Sequence, residues 1–188
     1  MRIATIYGST RRMGNTELLV ERMMKGIDHR SVYLSDLNIQ PIIDQRHDEG
    51  GFDPVNDDFK EIVDLCLTSD LIIFATPLYW YGMSGPMKNM IDRFSGAVRD
   101  ERYGEELKTS LQKMETIVVT VGGDNPRLKA LPMIEQFNLA FQFLGVQSFT
   151  SYIIGHASKP GDIHDDRMAM AQADVLRDHL QNQAIARG

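Results

Sequence analysis

The chain has 188 residues, 43% of them hydrophobic and 24% charged, with a formal net charge of −6. This length suits one globular domain, which we assign to residues 1–188, and the charge argues against a general nucleic-acid or anionic-membrane binder. The single cysteine excludes an internal disulfide and cannot alone hold zinc or an iron–sulfur cluster. We expect a cytoplasmic protein, because strand-forming residues directly follow Met1 and no apolar run approaches about 18 residues.

The first predicted elements are a strand, a loop and a helix within residues 2–16. β-Branched and aromatic residues at positions 3–7 predict the strand, and a helical pattern starts near Asn15. The unpaired N–H groups and the partial positive charge at a helix start favour an anion, and Arg11 and Arg12 add full charges. The candidate binding residues are Ser9, Thr10, Arg11, Gly14, Asn15 and Thr16.

The glycine spacing of this loop indicates which phosphate it suits. Gly8 and Gly14 are separated by five residues, and Asn15 stands where a Walker loop has its lysine, which disfavours a triphosphate. A dinucleotide fingerprint is also absent, because no glycine follows Gly8 until Gly14. The loop therefore predicts a site for a single terminal phosphomonoester. The alternative is a strand-to-helix turn without a ligand, in which Asn15 or Thr16 caps the helix.

The segment after the first helix is mostly polar. A short strand at 31–34 and an extended stretch at 37–43 precede a loop at 44–58, and a helix with an apolar stripe follows. Cys66 lies on that stripe and is expected to be a small core residue. The potential metal ligands of the loop have no regular spacing, so we predict a solvated acidic loop and no metal site. They are Asp44, His47, Asp48, Glu49 and Asp53.

A nearly unbroken apolar run at 70–76 predicts a central parallel strand that is covered on both faces. Three consecutive aromatic residues follow it, and they cannot all point inward because neighbouring side chains project in different directions. At least one should be exposed, either as a platform for a flat ring or at a subunit interface. The candidate residues of this second loop are Pro77, Leu78, Tyr79, Trp80, Tyr81 and Gly82.

The second half of the chain continues the alternation of helices and strands. Ser84 caps a helix at 87–94, and residues 95–113 are expected to form an extended connection. A buried strand at 115–121 ends in a glycine-rich third loop, suited to close approach by a ligand. A helix at 127–144, a strand at 146–154 and a final helix, capped by Asp165 and reaching about Gln181, complete the chain. The third loop contributes Gly122, Gly123 and Asp124 as candidates.

This alternation predicts an α/β fold with one parallel sheet and helices on both faces. Five strands in such a chain most often take the order 2-1-3-4-5, in which strands one, three and four are neighbours. The three loops then meet at the switch point between strands one and three. They predict a single site with a phosphate cradle, an aromatic platform and a glycine-lined edge.

Three motifs resemble the flavodoxin-like NAD(P)H-dependent oxidoreductases, in particular the FMN reductase and iron–sulfur flavoprotein group. They are GSTRRMGNT at 8–16, TPLYWYGMSGPMKNMIDRF at 76–94 and the glycine pair at 122–123. The resemblance covers essentially the whole chain and implies a flavodoxin-like three-layer sandwich that uses FMN and NAD(P)H. In such a protein Ser9, Arg11, Asn15 and Thr16 would hold the FMN phosphate. Residues 77–82 would wrap the isoalloxazine ring, and residues 122–124 would border its far edge.

The chain departs from this group in one respect, which limits the cofactors that we expect. Iron–sulfur members carry a compact cysteine cluster after the second strand, whereas residues 41–52 contain no cysteine. The resemblance therefore implies a flavin-only reductase, commonly a homodimer or homotetramer with its active site near a subunit boundary. Hydride would pass from the nicotinamide to FMN and on to a small acceptor such as a quinone or a flavin, with no catalytic side chain.

Two other classes of function stay open at this point. One is a flavodoxin-type electron carrier, which holds FMN without nicotinamide turnover, and the other is a flavin-free binding protein on the same fold. His156 is the one histidine expected to approach the site, although a loop histidine is more often structural or solvated.

Overall fold

A five-stranded parallel sheet forms the centre of the computed structural model, which describes residues 1–186. Its strand order, β2-β1-β3-β4-β5, is the predicted one. Six of the seven residues of the central strand β3 are buried, as expected for a strand covered on both faces. The strands are β1 (Ile3–Tyr7), β2 (Arg30–Tyr33), β3 (Leu71–Pro77), β4 (Glu115–Gly122) and β5 (Ser148–His156).

Helices cover both faces of the sheet and enclose two hydrophobic cores. The first core lies under α2, α3, α4 and α6 and includes Met87 and Phe137, while the second lies under α1 and α7 and includes Leu19 and Ala173. The helices are α1 (Asn15–Met23), α2 (Phe59–Thr68), α3 (Gly85–Ala97), α4 (Gly104–Lys113), α5 (Pro126–Lys129), α6 (Leu131–Phe143) and α7 (Arg167–Ala186). Within residues 1–186, no helix combines the length and the apolar character needed to cross a membrane.

The expectation of an extended connection at 95–113 was wrong. The helix α3 continues to Ala97, and α4 occupies most of the remaining segment. The apolar side chains that α4 buries, Leu107 and Leu111, are one turn apart. This pair is too short a repeat to reveal a helix by periodicity, so packing against α2 determines the structure here.

The helix predicted at 127–144 is divided into α5 and α6 at Ala130. Pro132 accounts for the break, because a proline ring inside a helix clashes with the carbonyl four residues earlier, here that of Leu128. In the observed arrangement Pro132 lies in the first turn of α6, where its missing N–H has no consequence.

The last helix begins one residue later than predicted. Asp165 belongs to a short 3₁₀ helix, Asp162–Asp165, and α7 starts at Arg167. The side chain of Asp166, not that of Asp165, caps α7 by accepting a hydrogen bond of 3.2 Å from the N–H of Ala169.

The hydroxyl of Ser84 joins the loops after β1 and β3. Ser84 Oγ donates to the carbonyl oxygen of Gly8 (2.6 Å) and accepts from the N–H of Met87 (3.4 Å) at the start of α3. Thr76 Oγ1 donates to Ser84 Oγ (3.2 Å) and accepts from the Ser84 N–H (3.1 Å). A Cβ on Gly8 would lie 2.8 Å from Ser84 Oγ, so only glycine permits this contact.

We expect the substitution Ser84→Ala to reduce the free energy of unfolding by about 1–3 kcal/mol. The reason is that the buried carbonyl of Gly8 and the N–H of Met87 would lose their partner. Urea unfolding followed by circular dichroism measures the change. Ser35→Ala, at an exposed serine, is the control and should shift stability by less than about 0.5 kcal/mol. Equal losses in the two variants would contradict the role assigned to Ser84.

Candidate active site

The loops after β1, β3 and β4 leave the sheet side by side. The N–H of Gly8 donates to the carbonyl of Ala75 (2.8 Å), and the N–H of Leu78 donates to the carbonyl of Val121 (3.0 Å). These bonds continue the ladder to the strand ends, so each loop starts beside its neighbour. The structure therefore brings together the three loops that the sequence analysis selected.

The first loop presents donors at the start of α1. Ser9 Oγ accepts from the N–H of Arg11 and donates to the Arg11 carbonyl, both at 3.0 Å, which closes a tight turn. Thr10 and Arg11 are exposed, and Arg11 has no ion pair within residues 1–186. Gly14 precedes α1, and Thr16 is buried in its first turn. The first N–H groups of a helix have no acceptor within it, so they and Arg11 suit an anion.

Arg12 is held away from this anion site. Its guanidinium forms an ion pair with Asp36 and lies 3.2 Å from the centre of the Tyr33 ring. Tyr33 in turn stacks on Tyr7, with ring centres 4.5 Å apart. The expected full charge from Arg12 is therefore largely compensated by Asp36, and Arg11 is the arginine left for a phosphate.

Glu17 is a functional candidate that the sequence analysis missed. Its carboxylate is 6% exposed and accepts from the N–H of Met13 (2.6 Å) and from the hydroxyl of Tyr33 (2.7 Å). Met13 has a φ of 54°, so Glu17 holds the loop in a left-handed backbone conformation that a side chain disfavours. The available signal was an acidic residue at the third position of a helix, which is where a capping box places it.

The side chain of Asn15 contacts a different loop from the one expected. Its amide nitrogen donates to the carbonyl of Lys159 (2.8 Å), and its oxygen accepts from the N–H of Gly161 (2.9 Å). These bonds tie the segment after β5 to the first loop. What Asn15 offers to an anion is thus its backbone N–H at the helix start, not its amide group.

The second loop contains two aromatic residues in the left-handed region. Trp80 has a φ of 49° and Tyr81 a φ of 64°, at a cost of about 1–2 kcal/mol each. Reciprocal hydrogen bonds between Tyr79 and Gly82 (3.1 and 2.9 Å) close this turn. Trp80 is 96% exposed, and Tyr79 and Tyr81 are about half exposed, which confirms the expected exposed aromatic surface. Strained backbone of this kind is concentrated at functional sites.

The backbone hydrogen bonds of the turn determine which of its N–H groups are available to a ligand. The N–H groups of Leu78, Tyr79 and Gly82 already donate to carbonyl oxygens of the chain. Those of Trp80 and Tyr81 have no acceptor within residues 1–186. Two adjacent donors beside exposed aromatic rings suit the polar edge of a flat heterocycle.

The glycines of the third loop allow close packing between chain segments. A Cβ on Gly122 would lie 2.9 Å from the Leu78 side chain, and a Cβ on Gly123 would lie 3.0 Å from Ser158 Oγ. Gly122 therefore brings the second and third loops into contact, and Gly123 does the same for the segment after β5.

Asp124 lies beside these glycines and bonds to other side chains of the site. It accepts from the Tyr81 hydroxyl (2.9 Å) and forms an ion pair with Lys129. The hydrogen bonds from Lys129 and Tyr81 lower the pKa of the Asp124 carboxyl. Asp124 is thus a charged link between the third and second loops.

The side chains of His156 and Cys66 lie in environments that indicate structural roles. His156 Nε2 lies 3.1 Å from the Gly123 carbonyl oxygen, and the His156 N–H donates to Asp166 (2.7 Å). The predicted core position of Cys66 is confirmed, and burial raises the pKa of its thiol to about 12. Within residues 1–186, no group of three or more histidine, cysteine or acidic side chains is arranged to hold a metal ion.

The donors and surfaces of the three loops fit the parts of FMN. A phosphate monoester matches the helix start, the Thr10 hydroxyl and the unpaired Arg11, while the Ser9 hydroxyl is engaged in the turn. A flat ring matches the exposed aromatic turn and the N–H groups of Trp80 and Tyr81. One site thus offers an anion cradle and a ring platform on adjacent strands.

Comparison with known proteins agrees with this fit. Residues 1–156 match the family described as NADPH-dependent FMN reductase. The chain is 46% identical over 176 residues to a Bacillus subtilis protein named "Putative NAD(P)H-dependent FMN-containing oxidoreductase YwqN", a match that covers 94% of this chain and 96% of that protein. It is 27% identical over 186 residues to the iron–sulfur flavoprotein MJ1083 of Methanocaldococcus jannaschii, which covers 94% of this chain and 93% of that protein.

A solved structure shows the same architecture. The Trp repressor binding protein from Bacillus subtilis superposes with a TM-score of 0.77 and 38% sequence identity, over 93% of this chain and 96% of that chain. The resemblance inferred from the sequence motifs is confirmed, and so is the flavodoxin-like fold. The chain belongs to the NADPH-dependent FMN reductase family and is an FMN-dependent NAD(P)H oxidoreductase.

Proposed function

We propose that the three loops form the FMN site of this oxidoreductase and that acceptors are reduced at the same place. The observation that supports this most is the junction of an anion-binding helix start with a strained aromatic turn on the adjacent strand. The proposed cofactor-binding residues are Ser9, Thr10, Arg11, Gly14, Asn15, Thr16, Pro77, Leu78, Tyr79, Trp80, Tyr81, Gly82, Gly122, Gly123 and Asp124.

In this proposal, different groups of the protein bind the phosphate and the ring of FMN. When bound, FMN supplies the redox chemistry, by accepting hydride from NAD(P)H and passing electrons to the acceptor. The amides at the start of α1 and Arg11 hold the phosphate. The N–H groups of Trp80 and Tyr81 favour negative charge on the polar edge of the ring, as preorganised dipoles do. The nicotinamide loses a hydride without any proton transfer to or from it, so we assign no catalytic residue.

The acceptor in this proposal is a small molecule such as a quinone or a flavin. The half-exposed to exposed rings of residues 79–81 form an open surface, which selects flat molecules by shape and stacking and not by a set of fixed hydrogen bonds. We place the enzyme in the cytoplasm, where reduced nicotinamide nucleotides are supplied. We also treat residues 1–188 as one domain, since a single sheet contains all five strands.

We further propose that the protein is a homodimer or homotetramer. The outer face of helix α6 exposes Leu131 (41%), Leu139 (55%) and Phe143 (73%) beside the polar side chains of Glu135 and Gln142. Large apolar side chains that are exposed together on one face are typical of an interaction surface. A second copy of the chain is the partner we propose for this face.

Arg11→Ala should raise the Kd for FMN about tenfold or more, because it removes a charged hydrogen-bond donor from the phosphate. The Kd for riboflavin, which has no phosphate, should change much less. Flavin fluorescence titrations of both ligands measure the two effects. Arg12→Ala is the matched control, since Asp36 and Tyr33 already engage that arginine. Equal losses for FMN and riboflavin would contradict our placement of the phosphate.

The FMN-loaded protein should lose its yellow absorbance when NADPH is added without oxygen, and recover it when a quinone follows. Anaerobic absorption spectra, with NADH compared in parallel, test the donor and the acceptor together. A flavin that binds tightly but stays oxidised with both nucleotides would identify an electron carrier instead. A protein that binds no FMN would exclude the proposed site.

Phe143→Lys should reduce the molecular mass in solution to that of a smaller assembly, because it places a charge in the proposed interface. Light scattering after size-exclusion chromatography gives the mass. Val175→Lys, at a 68% exposed position of α7, is the control and should leave the mass unchanged. A monomeric parent protein, or the same change in both variants, would count against an interface at α6.

A further inference from the structure

The turn that carries Trp80 has a strained backbone. Trp80 and Tyr81 both have positive φ, and the closing hydrogen bonds within the turn join only Tyr79 and Gly82. Trp80 is almost fully exposed, so its side chain receives little packing from this chain. The strain at two bulky residues must therefore be offset by contacts outside the turn.

Tyr81 makes such contacts. Its hydroxyl donates to Asp124 Oδ2 (2.9 Å), and Lys129 Nζ binds the same oxygen. Lys129 Nζ also lies 5.3 Å from the centre of the Tyr81 ring, within the range of a cation–π contact. Asp124 follows β4 and Lys129 belongs to α5, so these contacts fasten the aromatic turn to the neighbouring strand.

We propose that Tyr81, Asp124 and Lys129 form a clasp that holds the aromatic turn, and with it Trp80, in position for the ring and the acceptor. This inference rests on the proposed function, since it places the ring against that turn. Tyr81 belongs to the acceptor surface, and the other two are positioning residues. Asp124 and Lys129 act through Tyr81, and the clasp sets the shape of the acceptor surface while leaving the phosphate end of the site unchanged.

The ion pair of Asp124 with Lys129 lies beside the Tyr81 ring, and its geometry explains the role of the lysine. An unpaired carboxylate beside an electron-rich ring would repel it, whereas Lys129 compensates the charge of Asp124. The carboxylate can then accept from Tyr81 without making the site edge more negative. Removing Lys129 should therefore loosen the turn.

Trp80 provides a direct readout, because it is the only tryptophan in the chain. In Tyr81→Phe, which keeps the ring and removes the hydroxyl, time-resolved anisotropy should show faster local motion of Trp80, with or without FMN. The KM for a quinone should rise about three- to tenfold, a larger change than that in kcat, and the Kd for FMN should rise as well because the turn also holds the ring. Lys129→Gln should have the same effects, and combining it with Tyr81→Phe should add little.

Two controls separate the clasp from general effects of substitution. Tyr152→Phe removes a hydroxyl from β5, and Lys108→Gln breaks the exposed ion pair with Glu105. Neither should change Trp80 motion or the KM. If the parent protein binds FMN and turns over, but Tyr81→Phe and Lys129→Gln match it in anisotropy and KM, the clasp is refuted. If the parent protein binds no FMN, the proposed function fails, while unchanged Trp80 motion in the flavin-free variants still refutes the clasp.

Discussion

The hydrogen bonds of the Ser84 hydroxyl determine the geometry of the site. Thr76 and Ser84 bind each other at the two ends of residues 77–83, which closes that loop at its base, and Ser84 reaches across to Gly8. The loop after β3 thus projects from a fixed base beside the first loop. Because the base is closed, the chain must reverse within few residues, which accounts for the turn with positive φ at Trp80 and Tyr81.

In the proposed FMN site, backbone groups supply much of the recognition, and side chains mostly hold the backbone in place. Asn15 fastens the segment after β5, Glu17 holds Met13 and Ser84 joins two loops. The donors left for a ligand are amides at the start of α1 and in the aromatic turn. This arrangement preorganises dipoles before the ligand arrives, so little reorganisation accompanies binding or electron transfer.

The strand order and the meeting of the three loops follow from patterns that a sequence displays well. Long apolar runs predict buried parallel strands, and glycine-rich ends mark where those strands stop. The roles of individual side chains do not follow in this way. Asn15 and Lys159 are 144 positions apart in the chain, and local pattern contains no information about such a contact. The helix α4 was missed for a related reason, since its stability comes from packing and not from its own periodicity.

The contrast between Arg11 and Arg12 shows how an acidic protein keeps a positive group free at the proposed phosphate site. The net charge of −6 disfavours an anion at long range, but salt screens that contribution beyond about 10 Å. Asp36 forms an ion pair with Arg12. The buried carboxylate of Glu17 accepts hydrogen bonds from the Met13 N–H and the Tyr33 hydroxyl. Arg11 and the helix start therefore remain the uncompensated positive groups of the loop, and local pairing rather than total charge decides which groups are left for the proposed phosphate site.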